Sequence, residues 1–155
     1  MTITGITRAT VTGGLAVGII LATLGTPAIA APEDDISPAA ESALSVAIPI
    51  DSENLIELYQ SVPGLRIVDA RLLQDHRLGH IERSRNLPVN ETSCDSLARL
   101  AEGRDTAMVF YCNGRDGSAS IDALQVASNC GYRRLFWLRG GFIEWQDKDY
   151  PFVVE

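Results

Sequence analysis

Apolar positions along this chain alternate between two rhythms. Leu55, Ile56, Leu58 and Tyr59 recur at helical spacing behind the capping residues Asp51 and Ser52. After the Pro63-Gly64 turn, Leu65-Arg66-Ile67-Val68 is a short apolar run ending at Asp69, the form of a buried strand. A brief helical piece runs through Leu78 and is stopped by Gly79, and a short strand is expected around Asn86 to Val89. Ser93 to Ala101 reads as an amphipathic helix opened by Thr92 or Ser93 and ended by Gly103. Ala107 to Tyr111 is the clearest buried strand. Ala119 to Cys130 follows as a helix with Ile121, Leu124, Val126 and Ala127 on its apolar side and Gly131 just beyond it. Arg134 to Leu138 is the last strand, and Gly140-Gly141 turns the chain into a helix holding Phe142, Ile143 and Trp145. Strands alternating with helices predict an α/β fold, a central parallel sheet with helices on both faces.

The rhythm is absent from the first 43 residues. Residues 1–30 carry one charge, Arg8, then the apolar, glycine-containing stretch Val11 to Leu24 and the small residues Ala28-Ile29-Ala30. This is the layout of a signal peptide cleaved after Ala30. The apolar run is shorter than the roughly 20 residues that cross a bilayer, so no stable membrane span is expected after processing. Residues 31–43, APEDDISPAAESA, read as a flexible leader, which leaves residues 44–155 as one folded domain. The 155 residues are 46% hydrophobic with a formal net charge of -7. That acidic balance argues against nucleic acid as a partner. The sequence predicts an exported protein, periplasmic or secreted.

In parallel sheets ligands bind beyond the carboxyl ends of the strands, which sorts the candidate chemistry. Asp69, Arg71, Cys112 and Arg139 all follow strands and belong to that end. His80 precedes a strand, so it is read as structural and hydrogen-bonded to nearby backbone, while His76 is expected on the surface. Cys112 stands between the strongest strand and a helix start, where unpaired N–H groups and the helix dipole favour a thiolate. Its loop, Asn113, Gly114, Arg115, Asp116, Gly117 and Ser118, has two glycines to let backbone amides converge on sulfur or a bound anion, and one arginine to attract it. A buried apolar cysteine is the competing reading. Neither a metal-ligand cluster nor a nucleotide loop is evident, and no cofactor is expected.

Six segments, in order, resemble the rhodanese family of sulfurtransferases. They are Ile67-Val68-Asp69-Ala70-Arg71, Gly79-His80-Ile81, Asn86-Leu87-Pro88, Val109 to Cys112, Gly131-Tyr132, and Leu138 to Phe142 with Trp145. The resemblance covers nearly all of residues 44–152. It implies that Cys112 takes the outer sulfur of a small sulfur-containing anion such as thiosulfate, holds it as a persulfide, and passes it to a thiol or cyanide acceptor. Residues Asn113 to Ser118 would bind the persulfide and departing anion, and Asp69 and Arg71 would brace the loop. Four positions depart from the family pattern: Arg115 and Gly117, where glycine and a basic or hydroxyl residue are frequent; Asp116, which opposes an anion unless it points outward or caps the helix; and Arg139, where an acid is frequent.

Other chemistries on this fold remain to be weighed. Phosphatases use a longer loop with an arginine six residues after the cysteine, and here that position is Ser118. A thiol redox or sulfur-carrier role through Cys112 is the second class, and a further cysteine could join it. Cys130 closes a helix that starts near Gly117, about 20 Å from Cys112, too far for a bridge that requires Cα atoms within roughly 7 Å. Cys94, taken to start its helix at the carboxyl end of the sheet opposite Cys130, is the expected partner if Cys112 has one. A non-catalytic binding module is the third class, against which the retained cysteine speaks.

Overall fold

A computed structural model describes residues 38–114 and 117–155. The expected signal segment, leader residues 31–37, Arg115 and Asp116 lie outside the described residues. Helix α1 (Pro38–Leu44) occupies the end of the expected leader, and strand β1 (Ile48–Ile50) leads into α2 (Ser52–Ser61). Asp51 caps α2 by accepting from Asn54 N at 2.8 Å. Strand β2 (Arg66–Asp69), helix α3 (Leu73–Leu78), and the short strands β3 (His80–Ile81) and β4 (Ser84–Asn86) follow. A 3-10 turn at Val89–Glu91 precedes α4 (Cys94–Leu100), whose N-terminus is closed by a reciprocal Ser93–Ser96 capping box. Then come β5 (Met108–Tyr111), α5 (Ser118–Asn129), β6 (Leu135–Leu138), α6 (Gly141–Asp147) and β7 (Phe152–Val153).

The main sheet has the order β1-β6-β5-β2-β4, with every neighbouring pair parallel. β3 and β7 form a separate antiparallel pair, His80 opposite Val153 and Ile81 opposite Phe152. Because successive strand side chains face opposite ways, the sheet feeds two cores. Val68, Phe110 and Trp137 pack with Leu97, Leu124 and Ala127 from α4 and α5. Ile67, Val109 and Leu138 pack with Leu55 from α2 and Phe142 and Trp145 from α6. All four β5 side chains are buried on a strand covered from both faces. Burial of that kind contributes about 1.5–3 kcal/mol per large apolar side chain. The parallel sheet between helical layers is the architecture expected from the apolar pattern.

Several elements depart from expectation: the strand expected around Asn86 to Val89 is β4 at Ser84–Asn86, followed by the 3-10 turn, and the β3–β7 pair was not foreseen. β1 is an edge strand of three residues with two exposed side chains, too short to carry a clear periodicity. The placement of α4 overturns the proposed Cys94–Cys112 pairing: Cys94 is bonded to Cys130, with Cα atoms 5.5 Å apart, and Cys112 is the free thiol. The reason is the path of residues 87–93, whose 3-10 turn packs along α5. The chain travels the length of α5 before α4 begins, so the start of α4 meets the end of α5. Among the described residues no helix is long and apolar enough to cross a membrane.

Candidate active site

β5 lies between β2 and β6, so the carboxyl ends of three adjacent strands converge. They carry Asp69, Cys112 and Arg139 respectively. Cys112 is 4% exposed at the end of β5. Its Sγ lies 3.5 Å from Gly114 O and 3.3 Å from Gly117 O, both acceptors for the thiol proton, and accepts from the Ser120 hydroxyl at 3.2 Å. Ser120 is itself fully buried and receives a hydrogen bond from Trp137 Nε1 at 3.3 Å. The loop is tight: Gly117 N donates to Gly114 O at 3.0 Å, and a Cβ on Gly117 would overlap Cys112 Sγ. Gly117 is also the N-terminal cap of α5, whose axis therefore starts beside the sulfur.

The twin glycines fasten the other side of the loop. Gly141 has φ +60, and a Cβ there would press on Cys112 O and on the carbonyl carbon of Asn113. The close approach lets Phe142 N donate to Cys112 O and Ile143 N to Asn113 O, both at 2.8 Å. Two N–H groups of α6, orphaned by the helix start, thus hold the carbonyls of the cysteine loop.

Asp69 and Arg71 form the brace. Asp69 is fully buried, and its carboxylate accepts from Arg71 Nε at 2.9 Å, Arg71 NH2 at 2.6 Å, Arg71 N at 3.0 Å and Tyr111 OH at 2.9 Å. His76 Nδ1 lies 2.9 Å from the same carboxylate. Burial alone would raise the Asp69 carboxyl, but the hydrogen bonds and charge of Arg71, aided by His76, hold it below the usual carboxylate range. Burial, and then the Asp69 charge, push the Tyr111 phenol up. Arg71 continues to Gly79 O at 2.7 Å and to Asn113 Oδ1 at 3.4 Å, and its guanidinium stacks 4.3 Å from the Phe142 ring centroid. Asn86 completes the frame by donating to Asp69 O at 3.1 Å and Arg71 O at 2.8 Å.

Of the expected site residues, Cys112, Asn113, Gly114, Gly117 and Ser118 are together at the end of β5, with Asp69 and Arg71 behind them. Two histidine expectations separate. His80 is buried and bonded to backbone, as read, with Nδ1 2.9 Å from His76 O. His76 is 5% exposed rather than on the surface, because α3 turns it inward onto Asp69. Sequence reasoning missed Ser120, Tyr111 OH and the α6 amides. A serine in the first turn of a helix gives no sign that it faces a sulfur, and backbone donors have no sequence signature.

An open depression of about 600 Å³ adjoins the loop, lined by Asn113, Gly114, Gly117, Gly140, Ile143, Glu144 and Asp147. Burial would raise the Glu144 carboxyl, but Lys148 and the Ser52 hydroxyl and amide hold it below the ordinary range. The arrangement offers one thiol, a braced loop and an adjoining recess.

Comparison with known proteins agrees with this geometry. A sulfurtransferase of Allochromatium vinosum is 31% identical over 105 residues, covering 68% of this chain and 94% of that protein. An HTH-type transcriptional regulator of Mycobacterium tuberculosis is 34% identical over 85 residues, or 55% of this chain, which spans only 36% of the regulator's length. The crystal structure of thiosulfate sulfurtransferase from Pseudomonas aeruginosa superposes with a TM-score of 0.63 at 23% identity, covering 75% of this chain and 22% of that one. At that identity the likeness is one of fold. The model of the rhodanese-like domain matches residues 52–148, so the cysteine loop, its Asp-Arg brace and the twin-glycine clamp sit within a chain that belongs to the rhodanese-like domain family.

Proposed function

We propose that the protein is a sulfurtransferase in which Cys112 carries sulfane sulfur. The carrying observation is the division of its cysteines: Cys94 and Cys130 are joined to each other, while Cys112 alone is free and stands in the braced loop. With thiosulfate, the Cys112 thiolate attacks the outer sulfur, the S–S bond to the sulfonate sulfur breaks, and sulfite leaves with the electron pair. An acceptor nucleophile such as cyanide or a thiol then attacks the outer sulfur of the persulfide and regenerates the thiolate. Asn113 to Ser118 would hold the transferred sulfur and the departing anion, with the charge of Arg115 attracting the donor. Asp69 and Arg71 act through the loop they brace. The depression beside Gly114 and Gly117 supplies the approach for both substrates.

Export is part of the proposal. A disulfide persists in oxidising compartments, and the Cys94–Cys130 bond supports a periplasmic or secreted setting. Incubating the protein with thiosulfate and cyanide should release thiocyanate, and thiosulfate alone should add about 32 Da to the intact mass, one sulfur bound at the thiol. Cys112→Ser should show neither product. Equal behaviour of the two proteins would refute the sulfurtransferase reading, and cell fractionation tests the location.

A further inference from the structure

We propose that His76, His80 and Glu155 form a binding site for a divalent transition metal ion, with Zn2+ as the reference case. One ligand atom from each of the three residues lies within 4.8 Å of the other two. Two of them are four positions apart, and the fold brings the third to them from position 155. His76 is on α3, His80 is on β3, and the antiparallel β3–β7 pairing sets Val153 opposite His80, so Glu155 arrives beside both histidines. Glu155 N donates to Arg77 O at 3.0 Å, which anchors that end of the segment.

The two imidazoles are oriented as metal ligands are. His76 Nδ1 faces the Asp69 carboxylate and His80 Nδ1 faces the His76 carbonyl, both at 2.9 Å. Those oxygens only accept, so each Nδ1 carries a proton, and Nε2 is the nitrogen left to offer a lone pair to a metal. A carboxylate or carbonyl on the far nitrogen is the arrangement that fixes tautomer and orientation in histidine metal sites. Neither Nε2 is hydrogen-bonded among the described residues, and no fully buried side-chain nitrogen or oxygen there lacks a partner, so both open outward. His80 and Glu155 line a cleft of about 1010 Å³, which provides an entry path and room for water at a fourth position.

Two imidazole nitrogens and one carboxylate oxygen suit Zn2+, Ni2+ or Cu2+ better than the oxygen-seeking Mg2+ and Ca2+. The rings are stacked at 3.7 Å with 12° between their planes. Two ligands on a tetrahedral Zn2+ lie about 3.4 Å apart. The 3.7 Å is a distance between ring centres, and the in-plane lone pairs of rings so nearly parallel run side by side, so the rings must splay for both to reach one ion. Cleft arginines such as Arg66, which is paired with Glu102, oppose a bare cation and favour an anion or water as the fourth ligand.

The test uses tag-free full-length protein carrying Cys112→Ser, so that no free thiol contributes, titrated with Zn2+ by calorimetry and with Co2+ by visible absorption. One equivalent should bind, with Co2+ bands typical of nitrogen and oxygen ligands. Glu155→Gln and His76→Phe should each weaken Zn2+ binding by about tenfold or more. Glu155 is exposed, so its variant folds and decides the matter even if His76→Phe does not. Absence of stoichiometric binding, or a Zn2+ affinity unchanged by Glu155→Gln, overturns the proposal.

Discussion

Gly117 has no room for a side chain, because the first carbon would coincide with the Cys112 sulfur. Gly117→Ala should therefore reduce the rate of sulfur transfer by at least about tenfold, equivalent to about 1.4 kcal/mol of barrier. Stopped-time thiocyanate release measures it, and an unchanged rate would show that the loop yields freely. Asp69 presents a different residue-scale effect. Its carboxyl is held below the usual carboxylate range in the fold, so the folded state binds its proton less readily than the unfolded chain does. That stability is present above the unfolded value of about 3.9 and is lost as pH falls through the lower folded value. Urea midpoints of the wild type should accordingly drop as pH falls below about 4. Asp69→Asn leaves Arg71 buried without its counter-charge and should cost about 3–5 kcal/mol, with a shallower acid-side slope. Parallel slopes in the two proteins would assign the acid sensitivity elsewhere.

At the scale of elements, α6 does more than cover the sheet. Its first amides hold Cys112 O and Asn113 O, and that contact exists because Gly141 adopts φ +60 with nothing between the helix and the loop. Gly141→Ala meets both a disfavoured conformation and a backbone overlap. It should depress kcat while leaving the far-UV helix signal intact; retention of full kcat would mean that the α6 clamp is dispensable. The Asp-Arg brace and the clamp act on the same loop from opposite sides, since Arg71 reaches Asn113 and stacks on Phe142. Double substitution at Gly141 and Arg71 should consequently be less than additive.

The whole molecule is closed by the Cys94–Cys130 bond, which spans 36 positions and ties α4 to the end of α5. A crosslink of that span stabilises by about 4 kcal/mol through the entropy it removes from the unfolded chain. Joint replacement of both cysteines by Ala should lower the thermal midpoint by many degrees while leaving thiocyanate formation below the transition unaffected. A loss of transfer in the still folded variant would instead bring the disulfide into the chemistry. Peptide mapping without reductant should recover Cys94 with Cys130 and Cys112 as a free thiol.

Sequence alone determined what depends on local rhythm. Apolar periods of two kinds fixed the alternation of strands and helices, and from it the parallel sheet whose carboxyl ends gather Asp69, Cys112 and Arg139. The ordered segments around those residues carried the family resemblance, now matched over residues 52–148. What depends on path length and register was decided only in three dimensions. Residues 87–93 could have brought Cys94 to either end of α5, and their packing along that helix chose Cys130 over Cys112. His76 sits in a helical stretch too short to show which face is buried, and only the fold turns it inward onto the Asp69 carboxylate. Ser120 beside the sulfur and Glu155 beside the histidines are contacts between residues distant along the chain, which no local pattern encodes.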